Sequence, residues 1–354
     1  MISVRTLALA AVVAAMVCVA LVSAVSAAIN IETVPVGNTG NTGELSGAGA
    51  GGYGPDRICG AVSYEYRIGT YEVTAGQYTA FLTAVAGVDA YSLYNTNMWS
   101  STYGCKIERY AGSGTSGDPY QYRVASDWGN RPVNHVSFWD ACRFANWLHN
   151  GQPSGAQGAG TTETGAYTLN GYSGPDGRTI GRSTGWKWAV TSEDEWYKGA
   201  YHKNDGDTGN YFDYPTSSDA TPSNDLVEPT DPGNNATFYD GGYTIGSPYY
   251  RTEMGAHESS ESPYNTFDQG GNVWEWNEAV VLEGEGWSYR GLRGGSFGSD
   301  VGDLRASDRN DRYVPTYEGY DVGFRVSEVP EPASMAALAL GGMGMLLRRR
   351  GLRR

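Results

Sequence analysis

Apolar residues fall at helical spacing in only three short stretches of this chain. In the first, Tyr78, Phe81, Leu82 and Val85 form one face. Thr74 precedes it with Gln77 three residues on, the spacing of a capping box, in which each side chain satisfies a backbone N–H of the helix start. Phe138, Ala141, Cys142, Ala145, Trp147 and Leu148 supply the buried side of a second helix, which begins at Ser137 or Asp140. Ser192 caps a third, with Glu195 as the matching box residue, after a short strand from Trp186 to Val190. Glu193 and Asp194 fall in its first turn, where the positive end of the helix dipole is enough to account for them. Trp196 and Tyr197 read as packing residues. Aromatic and branched residues from Ala61 to Tyr71 predict a further strand.

The remaining stretches lack periodicity. Residues 29–55 hold a short strand at most, 87–130 form a polar and aromatic insert, and 150–181 are a Gly/Ser/Thr loop. Residues 203–263 are longer still, and so long an aperiodic run calls for a partner, a metal or aromatic packing to order it. With 50 glycines, 26 tyrosines and 10 tryptophans, the pattern predicts one compact α+β domain with much irregular structure.

Both ends read as targeting segments. Residues 1–28 run from Arg5 through an apolar stretch, Leu7 to Val22, into small residues. That is a secretory signal peptide with cleavage near Ala27 or Ala28; a retained anchor is the alternative. The other end reads Pro330-Glu331-Pro332, an apolar run from Ala333 to Leu347, then five arginines. The run is shorter than the roughly 20 residues of a comfortable membrane span. Setting aside Arg5 and the tail arginines leaves 19 basic against 39 acidic residues, a body charge near −20. Such a charge opposes nucleic acid and anionic lipid as partners and attracts cations.

Three cysteines remain, Cys59, Cys105 and Cys142. An odd count outside the cytoplasm permits one disulfide and one free thiol; the loop-like setting of Cys59 and Cys105 favours that pair, with Cys142 an inert helix thiol. His135, His149, His202 and His257 are scattered and show no zinc spacing.

One stretch, Phe267 to Arg325, concentrates glycine pairs (Gly270-Gly271, Gly294-Gly295), the Trp274-Glu275-Trp276 triplet and the arginines Arg293, Arg305, Arg309 and Arg325. In order it reads FDQGGNVWEWNEA, RGLRGGSFGSD, LRASDRN and GFRVS. With YRIGTYEVTAGQYTAFL, RPVNHVSFWDACRFANWLH and WKWAVTSEDEWYKGA upstream, it resembles the formylglycine-generating enzyme domains of the sulfatase-modifying-factor group. The tail resembles the PEP-CTERM sorting signal, which implies processing by an exosortase, transient membrane contact through its short apolar segment, and export to the bacterial envelope or exterior. The resulting division is a signal peptide (1–28), an extension (29–59), the domain (60–328) and the sorting signal (329–354).

The resemblance implies a single-domain, C-type-lectin-related fold poor in regular structure. It also implies copper held by two cysteines, but Ser299 stands where the first is expected and no cysteine follows Cys142. A serine hydroxyl does not replace a thiolate as a soft Cu(I) ligand, so no copper is expected. The histidine site of the iron-dependent relatives has no counterpart. Carried over residue by residue, the Asn272 and Glu275 side chains with carbonyls of Val273 and Asn277 would hold a structural Ca2+; a Glu275–arginine pair is the alternative. Asn235 and Asp240 match a second calcium site poorly, and as a solvated turn they need no metal. Arg293, Ser296, Ser299, Arg305 and Arg309 would border the former active-site groove as a ligand groove, unless the arginines bridge carboxylates in the core. The expected protein is an exported, catalytically degenerate binder of a surface peptide or glycan; an oxidoreductase and a purely structural surface protein are the alternatives.

Overall fold

The computed structural model describes residues 28–115, 118–227 and 230–329; the signal-peptide and sorting-signal expectations lie outside them, apart from residues 28 and 329. In chain order the elements are β1 (Thr33–Val36), β2 (Glu44–Ser46), β3 (Arg57–Cys59), β4 (Tyr66–Gly69), α1 (Ala75–Val85), α2 (Asn97–Ser100), β5 (Ile107–Thr115), β6 (Asp118–Val124), α3 (Phe138–His149), β7 (Trp188–Val190), α4 (Glu193–Tyr201), β8 (Trp274–Gly284), β9 (Trp287–Arg293), β10 (Val322–Phe324) and β11 (Val326–Glu328). The three predicted helices are α1, α3 and α4. Each opens on a complete capping box, Thr74 with Gln77, Ser137 with Asp140 and Ser192 with Glu195. Ser137 rather than Asp140 begins α3.

Four small sheets result. β1-β4-β11-β7 is antiparallel throughout, β10-β8-β9 pairs β10 parallel to β8, and β2-β3 and β5-β6 stand as two-stranded pairs. A single residue, Arg325, separates β10 from β11, so the chain passes there from one main sheet to the other. The principal core is the seam where α1 and α3 meet β7, β8, β10 and β11. Its rings meet edge to face, Phe81 with Phe144 at 5.4 Å and Phe144 with Phe324 at 5.4 Å between centroids. α3 is buried on every side, so its polar residues need partners. Arg143 pairs with Glu163 at 2.7 Å, and Asn146 donates to the Thr162 and Tyr167 carbonyls at 2.7 and 2.9 Å.

Several expectations change here. The strand foreseen from Ala61 to Tyr71 is only Tyr66–Gly69. The extension carries β1, β2 and β3, and β1 forms the edge of the four-stranded sheet. The 87–130 insert contains α2 and the β5-β6 hairpin. Residues 203–263 form no named strand or helix among the described residues, yet Tyr211, Tyr214, Phe238 and Arg251 are buried within them. The Cys59–Cys105 disulfide is absent: all three cysteines are free and buried. Cys59 packs with Trp196, Tyr197 and Tyr201, whereas Cys105 and Cys142 belong to the principal core, so the favoured pair lies in two different packing clusters.

Candidate functional site

The organising stretch folds on itself through its glycine pairs. Gly271 (φ 84°) donates to the Gly294 carbonyl at 2.8 Å, and the next residue, Asn272, donates to the Thr237 carbonyl at 2.8 Å. A Cβ on Gly271 would run into that Thr237 carbonyl, which is why glycine stands there. The contact draws the 203–263 segment against the start of β8 and the end of β9.

The arginines fall into two buried clamps. Arg325 makes a bidentate pair with Glu275 (Nε and Nη2 at 2.8 Å) and also donates to the carbonyls of Gly69, Thr70 and Phe267. Trp196 Nε1 donates to the same carboxylate at 2.8 Å. One guanidinium thus ties β8 to the end of β4 at the point where the chain changes sheets. In the second clamp Glu193 receives Arg293 at 2.8 Å, Arg309 at 2.7 Å and Arg57 at 3.1 Å. Burial alone would push the Glu193 carboxyl up, but these cations, Arg293 first, hold it below its ordinary value. A helix dipole is therefore not what accounts for Glu193; a three-arginine cluster is.

This geometry sorts the predicted groove residues. Arg293 and Arg309 are buried in the Glu193 clamp and do not line a groove, because a guanidinium removed from water requires a carboxylate and Glu193 supplies it. Arg305 is exposed, with its Nε on the Tyr214 hydroxyl at 3.0 Å. Ser296 and Ser299 do stand together, with hydroxyl oxygens 3.4 Å apart, and the Ser299 hydroxyl holds the Asp303 carboxylate.

The two side chains predicted to hold calcium, Asn272 and Glu275, are already engaged by the protein's own donors. Both Glu275 oxygens accept from Arg325, whose positive charge already occupies the place a cation would take. Asn272 Oδ1 accepts from Thr252 N and Oγ1 at 3.0 and 3.1 Å, and Asn277 Oδ1 accepts from Ala279 N at 3.1 Å. A calcium ion needs six to eight free oxygens. Asn235 likewise spends its side chain, donating to Asp231 at 2.5 Å. Among the described residues no group of three or more His, Cys, Asp or Glu is placed to hold a metal.

Around Ser296 and Ser299 two surfaces meet. On one side lies an aromatic face: Phe297 has Tyr103, Tyr250, Tyr320 and Tyr243 at centroid distances of 5.6, 5.9, 6.1 and 6.2 Å. Tyr239 adds a ring 5.2 Å from Tyr243, and its N–H donates to the Ser299 carbonyl at 2.9 Å. Tyr239, Tyr243 and Tyr320 are 37%, 40% and 44% exposed, so the face is open to solvent. On the other side a cavity of about 340 Å³ is lined by Tyr53, Trp274, Asp303, Asp308, Asn310 and Arg312. Burial, then the charge of Asp303, pushes the Asp308 carboxyl up to about 6.

Sequence reasoning reached Trp274 and the serines but missed most of these lining residues. The tyrosines come from the 87–130 insert, the 203–263 segment and the approach to β10, and only the high tyrosine content pointed to them. Asp308 and Asn310 stood in plain view within LRASDRN, beside the arginines that drew attention instead.

The chain belongs to the family of sulfatase-modifying factor enzyme 1-like domains, whose model matches residues 54–329. A PEP-CTERM protein-sorting motif matches residues 328–350, which marks an exported protein of the bacterial envelope and implies processing by an exosortase. No helix among the described residues is long and apolar enough to cross a membrane. Similar solved structures include CarF (19% identity, 85% of this chain and 99% of that one, TM-score 0.45) and PvdO from Pseudomonas aeruginosa (19%, 84% and 94%, 0.44). Treponema denticola variable protein 1 is similar as well (16%, 85% and 98%, 0.46). No curated protein matches.

Proposed function

We propose that this envelope protein binds a surface glycan across the Ser296–Ser299 groove and does not carry out the cysteine oxidation associated with formylglycine-generating relatives. The observation that carries this reading is the open tyrosine face around Phe297, bordered by a pocket of carboxylates and an amide. Flat rings with a hydroxyl at one edge cover the apolar face of a sugar while bonding to its hydroxyls. Asp303, Asp308 and Asn310 add the planar acceptors and donors that pick out vicinal hydroxyls. Peptide recognition by strand addition or helix docking would call for a free sheet edge or an apolar trough, and this pocket is lined mainly by polar side chains.

The thiols support the non-oxidative part. Burial pushes Cys59 up to about 11 and raises Cys105 and Cys142 too, so all three stay protonated in the interior, away from Ser299.

Calorimetric titration with neutral oligosaccharides tests the reading. Tyr243→Ala and Tyr320→Ala, both at exposed positions, should weaken binding about tenfold each with the melting temperature unchanged. Unaltered affinity in both variants would remove the tyrosine face from the site. Aldehyde product from a sulfatase-type cysteine peptide supplied with oxygen, reductant and copper would overturn the proposal.

A further inference from the structure

The unusual group in the groove is Asp308. The residue is about nine-tenths buried (9% exposed) and lines the 340 Å³ cavity, yet among the described residues its carboxylate accepts no hydrogen bond and joins no ion pair. The nearby guanidiniums are spent elsewhere. Arg293 reaches only the Asp308 backbone carbonyl, at 2.6 Å, and gives its charge to Glu193, as does Arg309. A second carboxylate, Asp303, lines the same cavity and bears on Asp308 with its own charge. Arg312 bears on Asp303, and Arg293 and Arg305 on Asp308, but none of them forms an ion pair with either acid, so the two carboxylates keep a mutual repulsion that a positive guest between them would relieve.

The aromatic wall points the same way. The Arg312 guanidinium lies 4.7 Å from the centroid of the Tyr53 ring and donates to the Tyr53 hydroxyl at 2.9 and 2.7 Å, without an ion pair to Asp303 or Asp308. A cation is therefore already accommodated at the cavity rim by an aromatic ring. Tyr53 precedes the family match at residue 54, so this wall is supplied by the chain's own extension. It is held in place by Arg309 N to the Tyr53 carbonyl at 3.3 Å, Arg309 Nη1 to the Pro55 carbonyl at 3.0 Å, and Gly47 N to the Ser307 carbonyl at 2.9 Å.

We infer that the Tyr53–Trp274–Asp303–Asp308 pocket is a cation subsite of the groove, taking the protonated amine of an amino sugar. The inference rests on the glycan reading above and names its ligand class: a polymer carrying free amines, such as a deacetylated hexosamine chain. The ammonium would sit between Asp303 and Asp308 against Tyr53 and Trp274, while neighbouring rings of the polymer lie along the tyrosine face. Sulfated or uronic polymers would meet these two carboxylates and a body charge near −20, which turns them away.

The test compares a glucosamine oligomer with its fully N-acetylated counterpart, titrated into the purified full chain near neutral pH, above the Asp308 value of about 6, where Asp308 is ionised and part of the sugar amine is still protonated. The wild type should bind the free-amine oligomer about tenfold or more tightly than the acetylated one. Asp308→Asn, which keeps the side-chain shape, should bring the free-amine oligomer down to the affinity of the acetylated one; Asp303→Asn should do the same in part. An unchanged circular-dichroism spectrum and melting temperature report that each variant is folded. Equal affinity of the wild type for the two oligomers, or a preference that survives Asp308→Asn, overturns the cation subsite and leaves the glycan groove standing. Binding of neither oligomer overturns both. Oligolysine binding more tightly than either oligomer replaces the amino sugar with a cationic peptide and overturns the inference as stated.

Discussion

At the scale of single residues, the molecule is held by carboxylates that cannot do without their arginines. Glu275 and Arg325 are both fully buried, and removing one partner strands an unpaired charge in the core. Arg325→Met should therefore lower stability by about 3–5 kcal/mol in chemical unfolding. Because Arg325 supplies the positive charge, the melting temperature of the wild type should be the same in calcium and in chelator. A calcium-dependent rise would show that the clamp opens to admit the ion. Asp308 contributes in the opposite sense. Its carboxyl is raised from 3.8 to about 6, so the folded protein keeps a proton that the unfolded chain has already released. The stability it contributes is full below pH 3.8, fades as pH rises and is gone above about 6. Asp308→Asn should flatten the stability profile across that window, and an unchanged slope would mean that Asp308 is hydrated like any surface acid.

At the scale of elements, short local signals decided where helices begin. Each of the three capping boxes was readable as a Ser or Thr followed three residues later by Gln, Asp or Glu, because the box is a contact between neighbours along the chain. Ser192→Ala should cost about 1 kcal/mol in urea unfolding while Ser192→Thr costs less. If the alanine variant unfolds like the wild type, the Arg182–Glu195 pair at 2.5 Å, not the cap, sets the start of α4. The strands were less readable. β1 and β11 are three or four residues long and exist because β4 lies between them, so no window of sequence contains the reason for either. The β5-β6 hairpin lay hidden in an insert without clean alternation, since most of its side chains are only partly buried.

At the scale of the whole molecule, an acidic body is followed by a basic sorting tail that serves export. Removing Pro330 to Arg354 leaves every contact described above in place. It should change the final location or the mature mass of the protein, as read by fractionation and intact-mass measurement. An unaltered mass and location would refute processing at the tail. The long 203–263 segment is ordered by its neighbours: Asn272 takes the Thr237 carbonyl, and Thr252 binds Asn272 in return. That outcome matches the expectation that such a stretch must pack on something: Tyr211, Tyr214 and Phe238 are buried, while Tyr239 and Tyr243 face out.

The order of motifs from Tyr66 to Ser327, the starts at Thr74 and Ser192 and the single-domain α+β class were determined by the sequence alone, because each rests on residue types at fixed spacing along the chain. The absence of a thiol at position 299 was equally plain, and the expectation that no copper is held rests on it. Only the tertiary structure decided which arginines are structural. Arg293, Arg309 and Arg325 look alike in sequence to Arg305, yet three are buried against Glu193 or Glu275 and one faces water. It alone assembled the groove, because Tyr53, Tyr103, Tyr243, Trp274, Asp308 and Tyr320 come from six separate segments. Their meeting is fixed by backbone contacts such as Gly271 to Gly294, and pairings of that kind leave no periodic trace in the chain.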